Sequence, residues 1–242
     1  MQGELLRLDA VDKAFGRVRV ADKLSLVVRD GEALGILGPN GAGKSSIFNL
    51  ITGHLKPESG RIFHRGADIT ALAPSARCRR GIGRSFQVPH PFTGMTVFEN
   101  VLVGAMFGAR LREAEATRLS LDVLEQTDLA AKANRLAGAL TLFDRKRLEM
   151  ARALATRPQL LLLDEIAGGL TDDETHALTE TITALHKSGV AVVWIEHVVR
   201  ALLRVVERLV VVNAGVILAD GAPETVMQSR AVQEIYLGVE AA

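Results

Sequence analysis

The chain has 242 residues, with 29 basic against 28 acidic side chains, 48% hydrophobic residues and only 4% aromatics. Near-neutral charge gives no general nucleic-acid surface, and the single Cys78 leaves no internal disulfide and fits a reducing compartment. The length suits one large α/β domain, or a core with a smaller subdomain, built from aliphatic strands under Ala- and Leu-rich helices.

Met1 to Asp9 carries Glu4 and Arg7 and lacks an apolar core, so no secretory leader is expected there. Residues 4 to 30 alternate in the manner of strands, as in Leu6-Arg7-Leu8-Asp9-Ala10 and Leu24-Ser25-Leu26-Val27-Val28, with turns at Gly16 and Asp30-Gly31. Ala33-Leu34-Gly35-Ile36-Leu37 then reads as a buried strand running into Gly38-Pro39-Asn40-Gly41-Ala42-Gly43-Lys44-Ser45-Ser46. That stretch fills the pattern GxxxxGK[ST], and strand, glycine-rich turn and helix together are the context of a phosphate-binding P-loop. Glycines let successive backbone N–H groups curl around an anion, and the helix N-terminus adds partial positive charge. Lys44 is expected to reach the β- and γ-phosphates of a nucleoside triphosphate, and Ser45 to sit on Mg²⁺.

The P-loop helix is expected to end near Gly53, and Arg61-Ile62-Phe63 to return to the antiparallel sheet after a turn at Pro57 to Gly60. Thr96-Val97-Phe98-Glu99 is a capping-box pattern that starts a helix. From there to Leu154 the composition is helical, notably in Leu111 to Asp128 and Arg145 to Leu154. After Pro158 continuous apolar runs return, at Leu160 to Leu163 and Val190 to Ile195, as parallel strands covered on both faces require. The pattern is an α/β nucleotide core interrupted by a helical insertion: residues 1–88 and 158–242 as core, 89–157 as helical subdomain. The longest apolar stretches, such as Leu209 to Ala219 broken by Asn213, fall short of the ~18 residues of a spanning helix, so a soluble chain is expected, free to dock on a membrane protein.

Four leucines run from Leu160 into Asp164-Glu165. An acidic residue closing a buried strand beside a P-loop helps to hold Mg²⁺, which fits Asp164, and Glu165 would polarise the attacking water. Asp-Glu pairs also end strands at ordinary turns; the upstream P-loop favours the catalytic role. A second strand, Val190 to Ile195, leads to Glu196-His197, where the same geometry points His197 toward the γ-phosphate.

With these residues the chain resembles the ATP-binding subunits of ABC transporters, in particular those serving branched-chain amino acid importers. The resemblance runs from Phe15 to the tail Ile235-Tyr236-Leu237-Gly238. It is carried by the P-loop with Phe48-Asn49-Leu50-Ile51-Thr52-Gly53, by Arg84-Ser85-Phe86-Gln87, by Met95 to Asn100 and by Arg147-Leu148-Glu149-Met150-Ala151-Arg152. It implies a P-loop α/β core with an N-terminal antiparallel β-subdomain and an inserted helical subdomain. It also implies ATP and Mg²⁺ as cofactors, and ATP hydrolysis coupled to transport.

Under the resemblance Phe15 stacks on adenine, with core packing as the other reading. Gln87 touches Mg²⁺ and the attacking water. Pro89 to Val101, with Phe92, Met95 and Phe98, receives a coupling helix from a transmembrane permease subunit if exposed, and is plain helix packing if buried. A substrate-binding protein would act at one remove, nucleic acid is not a partner, and the chain would sit on the cytoplasmic face of the cell membrane. A soluble ABC ATPase without a transporter, or a weakly hydrolysing regulatory subunit, is the alternative.

The departures are local. Family members sandwich ATP between one chain's P-loop and a signature resembling LSGGQ from a second. Aligned on Arg147-Leu148-Glu149, that signature here reads Leu140-Thr141-Leu142-Phe143-Asp144. Leu142 and Phe143 are expected to project where backbone N–H groups should meet the γ-phosphate, and Asp144 to add a like charge that Arg145 and Lys146 partly offset. Ile166 stands in place of a proline, which removes a backbone constraint, and Thr171 in place of an Asp or Asn. An intact P-loop side beside an altered signature favours a heterodimer with a second ATPase subunit over a homodimer; a tolerated signature variant is the competing reading.

Overall fold

The computed structural model describes residues 3–237; Met1 and Gln2, within the stretch read for a secretory leader, and residues 238–242, with Gly238 of the matched tail, lie outside the described residues. Two long strands open the chain, β1 (Glu4–Phe15) and β2 (Val18–Arg29), followed by β3 (Ala33–Leu37) and α1 (Lys44–Thr52). Next come β4 (Ser59–His64), β5 (Ala67–Asp68), α2 (Pro74–Cys78) and β6 (Ile82–Arg84). The helical stretch holds α3 (Val97–Val103), continued by a π-helical turn over Gly104–Gly108, then α4 (Glu113–Gln126) and α5 (Leu142–Leu154). The chain returns through β7 (Leu160–Asp164), α6 (Asp172–Lys187), β8 (Ala191–Ile195) and α7 (Val199–Leu202). It closes with β9 (Arg208–Asn213), β10 (Val216–Gly221), α8 (Pro223–Gln228) and α9 (Arg230–Leu237).

Among the described residues these strands form an antiparallel sheet in the order β2-β1-β4-β5 and a second sheet in the order β10-β9-β3-β8-β7-β6. The second is parallel except for β10, which turns back against β9. Its central strands read as continuous apolar runs because alternate residues enter two different cores. Leu160 and Leu162 of β7, with Val193 and Ile195 of β8, face the antiparallel sheet and α1. Leu161, Leu163, Val192 and Trp194 face the core shared with α3 to α7. A parallel strand so enclosed has no solvent face, so the alternation that marks β1 and β2 disappears.

The carboxyl ends of β3, β8 and β7 are level: Ile36 pairs with Ile195, and Ile195 with Asp164. Ligands of open parallel sheets bind beyond the carboxyl ends of the strands. Here that edge carries the P-loop, Asp164-Glu165 and Glu196-His197 side by side. Helix α5 begins at Leu142, three residues before the sequence pattern suggested, because the Thr141 hydroxyl caps it by accepting from the Asp144 N–H.

Candidate active site

The P-loop turns from β3 into α1 through two positions that only glycine fills. A side chain on Gly38 would meet the Val212 carbonyl oxygen at 2.2 Å. Gly43 has φ of +102°, and a Cβ there would lie 2.4 Å from the Val20 carbonyl oxygen. The tight turn leaves the opening N–H groups of α1 free for an anion. Lys44 is buried and folded back on the loop, its Nζ donating to the Gly38 and Pro39 carbonyls at 2.7 and 3.1 Å. Burial lowers its pKa, opposed by Glu165 and Asp164.

A cleft of about 510 Å³ opens over this loop, lined by Asn40 to Ser46, Val18, Val20, Gln87, Glu165 and His197. Glu165 sits in the left-handed region at φ +48°, a position an L residue adopts at a cost and which places its side chain at the cleft. One carboxylate oxygen accepts from Gln87 Nε2 at 2.5 Å, and the other lies 2.6 Å from His197 Nε2. The expected water-polarising carboxylate is thus clasped between the two other polar groups expected around it.

Gly38 and Pro39 act from behind the cleft, through the carbonyls that hold Lys44. Asp164 also lies behind, 2% exposed, with Oδ2 bonded to Arg84 at 2.7 Å. Its Oδ1 is buried without a hydrogen-bond partner among the described residues. Burial raises the Asp164 carboxyl pKa, and Arg84 pulls it back down. An orphaned carboxylate oxygen is costly unless an ion or a water meets it, and hard divalent cations take such oxygens. Asp164, with the exposed hydroxyl of Ser45 and the amide of Gln87, therefore fits Mg²⁺. Phe15 closes β1 with its ring 54% exposed, which rules out core packing for it.

Several groups here make contacts that were not expected from sequence. Buried Glu196 accepts from the backbone N–H groups of Ala167, His197 and Val198, tying the loops after β7 and β8 together. Lys146 of α5 donates to the Glu165 carbonyl oxygen at 3.3 Å. Arg84 spans from Asp164 to Asn49 of α1. A charged residue directly after a buried apolar run was the available signal for Glu196; the contacts of Arg84 and Lys146 had none.

The altered signature differs from expectation in three respects. Asp144 is not turned outward: it is 2% exposed and both its oxygens accept from Lys132 Nζ, at 2.6 and 2.7 Å. Its charge is met inside the fold, so neither Arg145 nor Lys146 is needed to offset it; Arg145 bonds the Gly138 carbonyl instead. Phe143 is half-buried under the Arg147 guanidinium, whose carbon lies 4.0 Å from the ring centroid. Of Leu142, Phe143 and Asp144, only Leu142 projects, 49% exposed, at the first position of α5.

The loop after Glu165 is likewise held without a proline. Ile166 is buried in the core, Glu196 fixes Ala167, and Thr171 starts α6 in a capping box with Glu174. Near the helical stretch, Phe92 is exposed beneath Arg152, while Met95 and Phe98 are half-buried. A groove of about 300 Å³ lies alongside, with His54, Arg84, Phe86, Val103, Glu149 and Arg152 in its wall.

A family model described as ABC transporter matches residues 21–168. The chain is 35% identical to the high-affinity branched-chain amino acid transport ATP-binding protein LivG of Salmonella typhimurium, over 98% of this chain and 99% of that one. It is 34% identical, over 97% of both chains, to the lipopolysaccharide export system ATP-binding protein LptB of Haemophilus influenzae. Among solved structures it is similar to an ABC transporter cassette in its ADP conformation, with a TM-score of 0.86 and 32% identity over 98% of this chain and 99% of that one.

Proposed function

The chain belongs to the ABC transporter family as an ATP-binding subunit, and from that premise we propose that it drives a permease for branched-chain or related amino acids by hydrolysing Mg²⁺-ATP. One observation carries the catalytic part: Glu165 is held between Gln87 and His197 at the mouth of the cleft that Lys44 floors. The Lys44 ammonium exchanges the Gly38 and Pro39 carbonyls for the β- and γ-phosphates, while the N–H groups from Gly41 to Ser46 cradle them. Asp164, Ser45 and Gln87 hold the metal, which supplies neutralisation of phosphate charge. Glu165 orients and takes a proton from the attacking water, and His197 keeps the carboxylate aimed. Phe15, exposed at the end of β1, stacks on adenine.

Residues 1–88 and 158–242 form the nucleotide core in this reading, with 89–157 as the subdomain that passes motion to the permease. The groove beside Phe86 and Arg152 receives a helix of that permease, which holds the chain on the inner face of the membrane; among the described residues no helix is long and apolar enough to cross it. A substrate-binding protein delivers cargo outside, and nucleic acid plays no part. LivG supports amino acids as cargo; LptB, nearly as similar, shows that cassettes this alike serve different cargoes.

The second subunit is a different chain. Leu142 at the N-terminus of α5 blocks part of the surface that would meet a partner's γ-phosphate, so this chain contributes its P-loop face to the competent site and borrows a glycine-bearing signature from its partner. The test is uptake of labelled leucine into vesicles holding the chain with its co-expressed permease subunits. ATP-dependent uptake that is lost in Glu165→Gln supports the proposal. ATP hydrolysis that no permease stimulates, with no uptake of any branched-chain amino acid, overturns it.

A further inference from the structure

Arg84 occupies the junction of the two halves of the phosphate site. It closes β6, the strand that pairs with β7 and so runs beside Asp164. Its Nη2 donates to Asp164 Oδ2 and its Nη1 to Asn49 Oδ1, both at 2.7 Å. Asn49 belongs to α1, the helix that begins at Lys44, so one planar guanidinium ties the P-loop helix to the strand that ends in Asp164. The ion pair is nearly closed to solvent, with the two side chains 8% and 4% exposed. The same guanidinium packs against Phe86 on the groove side and Phe48 on the α1 side, with ring centroids at 4.9 and 5.5 Å.

Only one Asp164 oxygen is engaged by Arg84; the other has no partner among the described residues. A planar guanidinium anchored on Asn49 through one prong holds the other at a fixed point against Asp164 Oδ2. We propose that Arg84 is a positioning residue, which clamps Asp164 against α1 so that its free oxygen is presented to the divalent cation of the nucleotide. Arg84 is not among the residues that line the cleft over the P-loop. The inference rests on Asp164 as a cation-holding residue and extends that reading to the group that aims it. Outer-shell partners of this kind typically govern about 10–100-fold in metal affinity. Because Arg84 and its neighbour Phe86 also line the groove, the clamp adjoins the surface proposed for the permease.

Removing the guanidinium outright would leave a buried carboxylate unpaired and endanger the fold, so Arg84→Lys is the first variant: it keeps the charge and loses the planar fork that holds Asp164 and Asn49 at a fixed separation. Asn49→Ala, which frees one prong and leaves the ion pair, is the second. The measurement is binding of a fluorescent, non-hydrolysable ATP analogue to the purified chain, titrated with Mg²⁺ and repeated in EDTA, with Asp164→Asn alongside. The half-saturating Mg²⁺ concentration is expected to rise about 10–100-fold in Arg84→Lys and less in Asn49→Ala, while affinity in EDTA stays within about two-fold of the parent. An unchanged Mg²⁺ requirement in both variants, with Asp164→Asn shifting it, overturns the positioning role alone. If Asp164→Asn leaves the requirement unchanged, the cation-holding reading of Asp164 falls and the role of Arg84 falls with it.

Discussion

The P-loop face and the N-terminal end of α5 are the two surfaces between which a cassette of this family must trap ATP, and in this chain they differ in kind. On the first, each catalytic group has a partner that fixes it: Lys44 lies on the loop carbonyls, Asp164 on Arg84, and Glu165 between Gln87 and His197. On the second, the helix is capped and sound, yet its first residue is an exposed leucine. Asp144, which would have repelled phosphate, is drawn inward by Lys132. The difference teaches that the altered end is a well-folded surface with different chemistry, not a damaged one. In the proposed ATP sandwich the obstacle it offers is steric rather than electrostatic, and it is concentrated in Leu142.

The largest expected effect tests the intact face. Glu165→Gln keeps the shape of the side chain and removes the base, so steady-state hydrolysis should fall about 10²–10⁴-fold with nucleotide binding preserved. Lys44→Met comes next: it deletes charge-assisted contacts to phosphate worth about 1.5–3 kcal/mol, and equilibrium titration should show affinity for ATP down about 10–100-fold. Both variants act on the P-loop face and should do so whichever partner supplies the signature.

The altered end is probed by Leu142→Gly. Removing the exposed side chain costs the start of α5 no more than about 1 kcal/mol. It should raise the hydrolysis rate of the chain paired with itself by about ten-fold or more, short of the 10²–10³ that one well-placed backbone donor can supply. The same variant should do little when a partner with a glycine-bearing signature completes the site. A rise in both settings would erase the asymmetry between the two surfaces.

The smallest effect lies away from both faces and calibrates the others. His64 is buried, with its Nε2 unpartnered among the described residues, and burial lowers its pKa below 6.5. His54 is lowered in the same direction, by burial and then by Arg84 and Arg77. The unfolded chain takes up these protons first as pH falls, so the histidines' contribution is present above about pH 6.5 and is lost on acidification through their folded values. Thermal unfolding midpoints should drop more steeply from pH 7 to pH 5 in the parent than in His64→Gln. Equal slopes would remove His64 from the explanation.

Most of the fold was legible because it is written locally. The P-loop pattern, the capping box at Thr96 and the apolar runs at Leu160 and Val190 each declare an element within a few residues. The residues proposed as catalytic stood out for the same reason, since each follows closely on the end of a strand of the parallel sheet. The orientation of Asp144 was not, because it depends on the cap at Thr141 setting the phase of α5 and on Lys132, which reaches it across the intervening turn. The place of Arg84 was hidden by distance: it bonds Asn49, 35 residues earlier, and Asp164, 80 residues later. Contacts that join two halves of a site across the chain leave no local trace in residue type.

The central claim is that this chain supplies one competent catalytic face and needs another chain's signature. The most direct test is steady-state ATP hydrolysis by the purified chain, alone and then with its candidate partner ATPase subunit, with Glu165→Gln as control. Hydrolysis that appears only with the partner and disappears in Glu165→Gln is the predicted result. Brisk hydrolysis by the chain alone would show that Leu140 to Asp144 works as a signature, and would contradict the account.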